Sequence, residues 1–194
     1  MLVSASAGVD PEGVWCSWAI STVGGSPAAR NWGDFDGLGF DNRAVYITTN
    51  QYTFVSRVFD YAKIWVLDKA GLYGPCGSSI GMRERWDLRD PDSPSVKVDT
   101  VRPAITFGTP GVQYFLSASP FRTGTYVTLW SLANPLGASP SLTSVNIPVA
   151  SFSIAPDALQ LGSGETIDTL DTRFLNVVYR GRSLWAAHTV ADPT

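Results

Sequence analysis

Residues 32–50 read WGDFDGLGFDNRAVYITTN, a carboxylate-rich turn, a short apolar strand, a polar turn and then a strong β run. Leu38 and Phe40 predict the first strand, Asp41-Asn42-Arg43 the tight turn, and residues 44–49 (AVYITT) the second strand. Aspartate and asparagine suit such a turn because their side chains bond the backbone just ahead, while branched and aromatic residues suit the pleated surface that follows. The pattern returns downstream as residues 104–107 (AITF), 112–117 (VQYFLS) and 126–130 (YVTLW), and again as 174–179 (FLNVVY), Arg180-Gly181-Arg182 and 183–187 (SLWAA). Strands starting at Tyr46, Tyr114 and Leu184 superpose at a spacing of about 70 residues.

Working outward, residues 63–68 (KIWVLD) form a further predicted strand, matched by 126–132 (YVTLWSL) and by 14–20 (VWCSWAI). Residues 2–6 (LVSAS) resemble Leu116 to Ser119, and the turn 7–13 (AGVDPEG) resembles 189–194 (TVADPT), so the two ends of the sequence stand in about the same phase of the repeat. Because Leu2-Val3-Ser4 reads as the middle of a strand, Met1 is expected to be an internal start, although the first ten residues carry no export signal. Residues 21–31 are a loop by composition, and residues 70–99 an irregular insertion whose arginines alternate with aspartate and glutamate. No 3.6-residue apolar period lasts long enough to predict a long helix.

Composition agrees with short strands and turns. Hydrophobic residues make up 44% and charged residues only 16%, with 18 glycines and 13 prolines. Formal net charge is −3, with basic residues scattered, so there is no footprint for nucleic acid, and no apolar run long enough to insert in a membrane. Cys16 and Cys76 are too few for a disulfide scaffold; they either bridge once in an oxidising compartment or serve as small core residues.

The expected fold is therefore all-β, a single repeat domain over 1–194 with approximate repeats 14–49, 63–119 and 126–187. Units of antiparallel strands that cannot bury both faces alone stack into arrays such as β-propellers. A chain of about three blades falls below the usual four to eight, so it is either an excerpt of a larger propeller or one closed by a homodimer. DFDGLGFDNRAVYITTN, KIWVLDKAGL and IDTLDTRFLNVVYRGRSLWAAHT together resemble the repeats of bacterial secreted or surface β-propeller proteins, distantly sialidase-like. That resemblance implies an extracellular or cell-surface module. The Ser-x-Asp-x-Gly-x-x-Trp box and the arginine triad of sialidases are missing, so sialidase chemistry is not implied.

Counting back from the superposed strands, the lead-in segments 32–37, 99–103 and 168–173 would form the rim of a central channel. They supply Trp32, Asp34, Asp36, Arg102 and Arg173 as candidate ligand-binding residues, with Asp168 and Asp171 beside them. Aromatic, acidic and guanidinium groups together suit a glycan or a protein ligand. The enzymatic alternative is a glycoside hydrolase drawing a carboxyl pair, about 5 to 9.5 Å apart, from Asp34, Asp36, Asp168 and Asp171. Polar residues at such positions also tie neighbouring sheets together. Asp34, Asp36 and Asp41 around Gly37 form half of a calcium-loop pattern but lack further ligands; the competing reading is that the carboxylates accept backbone N–H bonds.

His188, the single histidine, is either a general base or a satisfied structural histidine, and no nucleophile elbow accompanies it. Trp15, Trp65, Trp130 and Trp185 occupy comparable strand phases and are expected in the core, whereas Trp32 and Trp86 are read in loops, free to stack on a ligand. The function expected is a non-enzymatic binding or scaffold module. A propeller hydrolase, or a fragment with no function of its own, is the alternative.

Overall fold

A computed structural model describes residues 1–23 and 30–192. Most of the loop read over 21–31, and the last two residues of the 189–194 turn, lie outside them. The chain is nearly all β, with 51% of residues in strands and 2% in helix, and its main sheet curls into a half-barrel. Among the described residues no helix is long and apolar enough to cross a membrane.

In chain order, β1 (Leu2–Ser6) and β2 (Trp15–Ala19) form an antiparallel hairpin apart from the main sheet. Next come β3 (Asn31–Phe40), β4 (Ala44–Thr53), β5 (Phe59–Asp68), the one-turn helix α1 (Lys69–Leu72) and β6 (Met82–Trp86). These four strands pair in sequence as an antiparallel meander. A second meander follows: β7 (Arg102–Thr106), β8 (Val112–Ala118), β9 (Gly124–Ala133) and β10 (Ser141–Phe152). The small hairpin of β11 (Ala158–Leu159) and β12 (Thr166–Ile167) precedes a last one, β13 (Asn176–Arg180) with β14 (Ser183–Ala187).

The first strands of the three successive groups lie side by side and parallel. β3 meets β7 at Phe40 and Ile105, and β7 meets β13 from Ala104 and Val177 to Thr106 and Tyr179. Their approach is close enough that a Cβ on Gly39 would lie 2.7 Å from the Ala104 carbonyl and from Pro103 Cβ, so only glycine fits there.

Period-2 alternation then sends each strand's side chains into two different cores. Ala44 and Tyr46 of β4, with Ile64 and Val66 of β5, meet Phe115, Trp130 and Leu132 of the second meander. Tyr46 and Phe115 are edge to face at 5.8 Å, a geometry worth about 0.5–1.5 kcal/mol beyond area burial. The opposite faces of β4 and β5, Ile47, Trp65 and Leu67, are covered by Val3 and Trp18 of the β1–β2 hairpin. A third core joins Leu116 and Ala118 of β8 to Phe174, Val177 and Leu184. Burial on both faces explains the continuous apolar runs at 44–47 of β4 and 64–67 of β5.

Cys16 and Cys76 form a disulfide, with Cα atoms 5.1 Å apart, settling the choice that their spacing left open. It staples the β1–β2 hairpin to the α1–β6 connection, where Trp18 Nε1 also donates to the Ser78 carbonyl at 3.0 Å. The tryptophans divide differently from expectation. Trp65 and Trp130 are buried, but Trp15 and Trp185 are exposed, because no described strand covers the outer faces of their hairpins. Nor are Trp32 and Trp86 in loops; they lie on β3 and at the end of β6.

Candidate functional site

The acidic half of residues 32–50 is a bulge within β3, not a turn between strands. Pairing with β4 slips between Asp34 and Gly37, and Phe35 takes a left-handed backbone with φ of 56°. The Asp34 carboxylate supports that kink by accepting the Phe35 N–H at 2.8 Å. An extra residue in one strand redirects the side chains beside it, and here it turns Phe35 toward two arginines. The Arg102 guanidinium carbon lies 4.7 Å from the ring centroid and that of Arg173 3.9 Å, both within cation–π range.

Arg102 is buried and locked. Its Nε donates to the Phe174 carbonyl at 2.9 Å and its Nη1 to the Asp36 carbonyl. Burial first, then the like charge of Arg173, draws its pKa below the ordinary arginine value against the pull of Asp36. Gly37 makes room for it, since a Cβ there would stand 2.7 Å from Nη1. Arg173 is held differently: its Nε donates to Asp171 Oδ1 at 2.7 Å. The other Asp171 oxygen forms an ion pair with Arg122, 3.3 Å from its Nε, and Arg122 pairs in turn with both oxygens of Asp99. Burial would raise the Asp171 pKa, but the bonds from Arg173 and the charges of Arg122 and Arg173 outweigh it and hold the carboxyl below its usual range.

His188 follows β14 and closes the other wall. Its ring stacks on Phe174 at 4.7 Å and meets Phe152 edge-on at 5.1 Å. Nδ1 lies 2.7 Å from the Thr172 carbonyl, which can only accept, so Nδ1 carries the proton and Nε2 is the unprotonated nitrogen of the neutral ring. Phe35, Asp171, Arg173, Asn176, His188 and Thr189 line an open cavity of about 410 Å³. Among the described residues, neither the Arg173 Nη atoms nor His188 Nε2 has a hydrogen-bond partner. The cavity therefore offers a guanidinium fork held in place from behind, an imidazole acceptor and an aromatic edge.

Of the residues singled out from sequence, the fold gathers Arg102, Arg173 and Asp171 around Phe35. Asp36 contributes its carbonyl, its side chain being exposed. Trp32 is half-buried against Tyr52, with centroids 5.5 Å apart, and does not line the cavity. Asp168 is exposed and accepts the Leu170 N–H at 2.7 Å within its own turn. Asp41 is fully buried under the β3–β4 turn, where its carboxylate accepts from Arg43 N, Ala44 N and the Tyr46 hydroxyl. Among the described residues no three His, Cys, Asp or Glu side chains converge as metal ligands. Phe35 and the exposed edge of His188 were not singled out as ligand-binding, because the bulge that aims one and the 153–175 return that seats the other have no short sequence signature.

No protein-family model, curated protein or solved structure matches the chain.

Proposed function

We propose that the chain is an arc of a β-propeller of the secreted or surface class, acting as a non-enzymatic binding module with a ligand site at the axial rim. Three features support the arc: two four-stranded meanders, parallel first strands on one side, and cores formed where one strand group faces the next. The Cys16–Cys76 bridge supports an oxidising compartment.

The observation that carries the binding reading is Arg173, fixed by Asp171 and Phe35 with its Nη atoms left over at a cavity of about 410 Å³. A planar guanidinium whose orientation is already set matches a carboxylate in two parallel hydrogen bonds. The ligand proposed is a glycan carrying a carboxylate, with sugar hydroxyls bonding His188 Nε2. Asp171, held below the usual carboxylate range, is not suited to the general-acid role in a hydrolase. Calorimetric titration with uronic-acid and sialylated oligosaccharides, beside neutral isosteres, tests it. Binding of the acidic sugars that Arg173→Ala abolishes is the expected result; equal affinity for neutral sugars, or no binding by any, overturns it.

A further inference from the structure

The structure carries two half-sheets that fit each other but do not meet within one chain. β13–β14 stands in the position of a meander's first two strands: β13 lies parallel to β7, and Leu184 of β14 packs on the second meander as Phe115 of β8 packs on the first. β1–β2 occupies the position of a third and fourth strand. Cys16 is bonded to Cys76, Trp18 to Ser78, and Ile20 and Val23 line one cavity with Met82 and Glu84, an order in which β2 runs in the same direction as β6. β1, antiparallel to β2, therefore runs with β5. Among the described residues β14 has no partner beyond β13, and β1 none beyond β2. Polarity allows those two free edges to pair antiparallel.

We propose that they do so between two copies of this chain, each supplying the half-sheet the other lacks, to close a six-bladed ring. The inference rests on the propeller reading above. Both faces of each half-sheet support it. Trp185, 67% exposed, and Val178 opposite it project from the outer face of β13–β14. Beside the free edge of β1 lies an open cavity of about 450 Å³ whose apolar lining includes Leu38, Phe40, Val45, Ile47 and Leu72. Seating the partner's Trp185 and Val178 there would reproduce the packing that Leu116 and Ala118 make on Val177. On the second meander, the β10 face turned away from Leu142 and the first core leaves Val145 50% and Ile147 39% exposed. The equivalent face of the first meander is covered by β1–β2, which buries Trp65 and Leu67 completely. The outer face of that same hairpin exposes Leu2 at 79% and Trp15 at 51%, the apolar surface such a contact needs.

The count selects a second copy. Each chain holds two full meanders and two halves, so two chains give six blades, within the usual four to eight, while three would give nine. Two-fold closure repeats the same junction twice and leaves neither β1 nor β14 with an open edge.

The test is sedimentation equilibrium of the whole chain, with Trp185→Asp and Ile147→Asp as variants whose folding is verified by circular dichroism. The expected result is a wild-type particle of twice the chain mass, and a folded monomer for each variant. A wild-type monomer up to its solubility limit, as when the free edges belong to further blades of a longer chain, overturns the proposal. So does a dimer that survives either substitution, or open-ended oligomers. Small-angle scattering of the monomeric species tests the underlying reading separately. An open arc in a wild-type monomer would sink the dimer alone, whereas a profile incompatible with stacked sheets would sink the propeller as well.

Discussion

The Arg173 guanidinium carbon lies 3.9 Å from the centroid of Phe35, while its Nε donates 2.7 Å to Asp171. Ring and carboxylate together fix a long side chain that would otherwise lose rotamer freedom on binding a ligand. Phe35→Ala removes one of the two restraints without touching the Asp171 pair. An exposed cation–π contact is worth about 0.5–1 kcal/mol, so affinity for an acidic saccharide should fall by roughly twofold to fivefold. Titration calorimetry on the variant measures it, and unchanged affinity would show that the ring plays no part in positioning Arg173.

Asp41 should be the most sensitive polar residue of the β3–β4 turn. It is fully buried and accepts Arg43 N at 2.7 Å, Ala44 N at 2.8 Å and Tyr46 Oη at 3.1 Å. Burial, then the Asp41 charge and its bond, raises the Tyr46 pKa far above the ordinary phenol value, so the hydroxyl stays a donor. Asp41→Ala strands three donors at about 1–3 kcal/mol each when none finds water, enough to unfold a marginal domain. Tyr46→Phe leaves the two backbone bonds and should cost about 0.5–1.5 kcal/mol. Urea unfolding of both variants checks the order; a Tyr46→Phe cost as large as that of Asp41→Ala would mean that the carboxylate does not anchor the turn.

These two sites mark what was legible in the sequence. The strands read at 44–49, 63–68 and 112–117 stand out because both faces are largely buried, so apolar residues run together at 44–47, 64–67 and 114–116. β6 was hidden inside a segment read as a mixed-charge insertion: as an edge strand it carries Arg83, Glu84 and Arg85, and Glu84 pairs with the buried Lys63 at 2.8 Å. β10 was hidden by its alternating serine, threonine and asparagine and by Pro148, at whose end the register slips. Arg102, Asp171 and Arg173 were singled out from the lead-in segments and lie together near Phe35. Phe35 was not legible, because its direction depends on a left-handed backbone at a residue type that rarely adopts one.

Gly39 tests the close contact of β3 with β7. An alanine Cβ would meet the Ala104 carbonyl and Pro103 Cβ at 2.7 Å and the Pro103 carbonyl at 2.8 Å, and backbone atoms cannot swing away. Gly39→Ala should therefore cost about 1–3 kcal/mol, the usual range for overpacking. Gly8→Ala, with open space around its Cβ position, is the control. Thermal melts of the pair give the comparison; equal melting temperatures would show that the first strands of the two meanders are not held this tightly.

The Cys16–Cys76 bridge spans 60 positions and is the covalent tie between the first hairpin and the first meander. In the chain-entropy account a loop of that length stabilises the fold by about 4 kcal/mol. Cys16→Ser with Cys76→Ser should lower stability by up to that amount, and the loss should be local first. Trp65 and Leu67 would then exchange with solvent as β1–β2 lifts. Hydrogen exchange resolved by residue reads this directly: faster exchange in β1, β2 and β5, with β7 to β9 unchanged, is the predicted pattern, and uniform acceleration would contradict it.

Asp171 predicts an acid dependence with a definite sign. Its folded pKa lies below the unfolded carboxylate value, so it stabilises the fold at any pH above that value. The contribution declines as pH falls from about 4 toward the lower folded pKa, where both states bind the proton. Asp171→Asn should therefore destabilise the protein at neutral pH, with a difference from wild type that shrinks steadily below pH 4. The same acidification frees the Arg173 Nε bond and loosens the cavity wall. Denaturant unfolding of both proteins from pH 7 to pH 3 measures the difference. One that stays constant across that range would mean the Arg122 and Arg173 pairs do not shift the carboxyl.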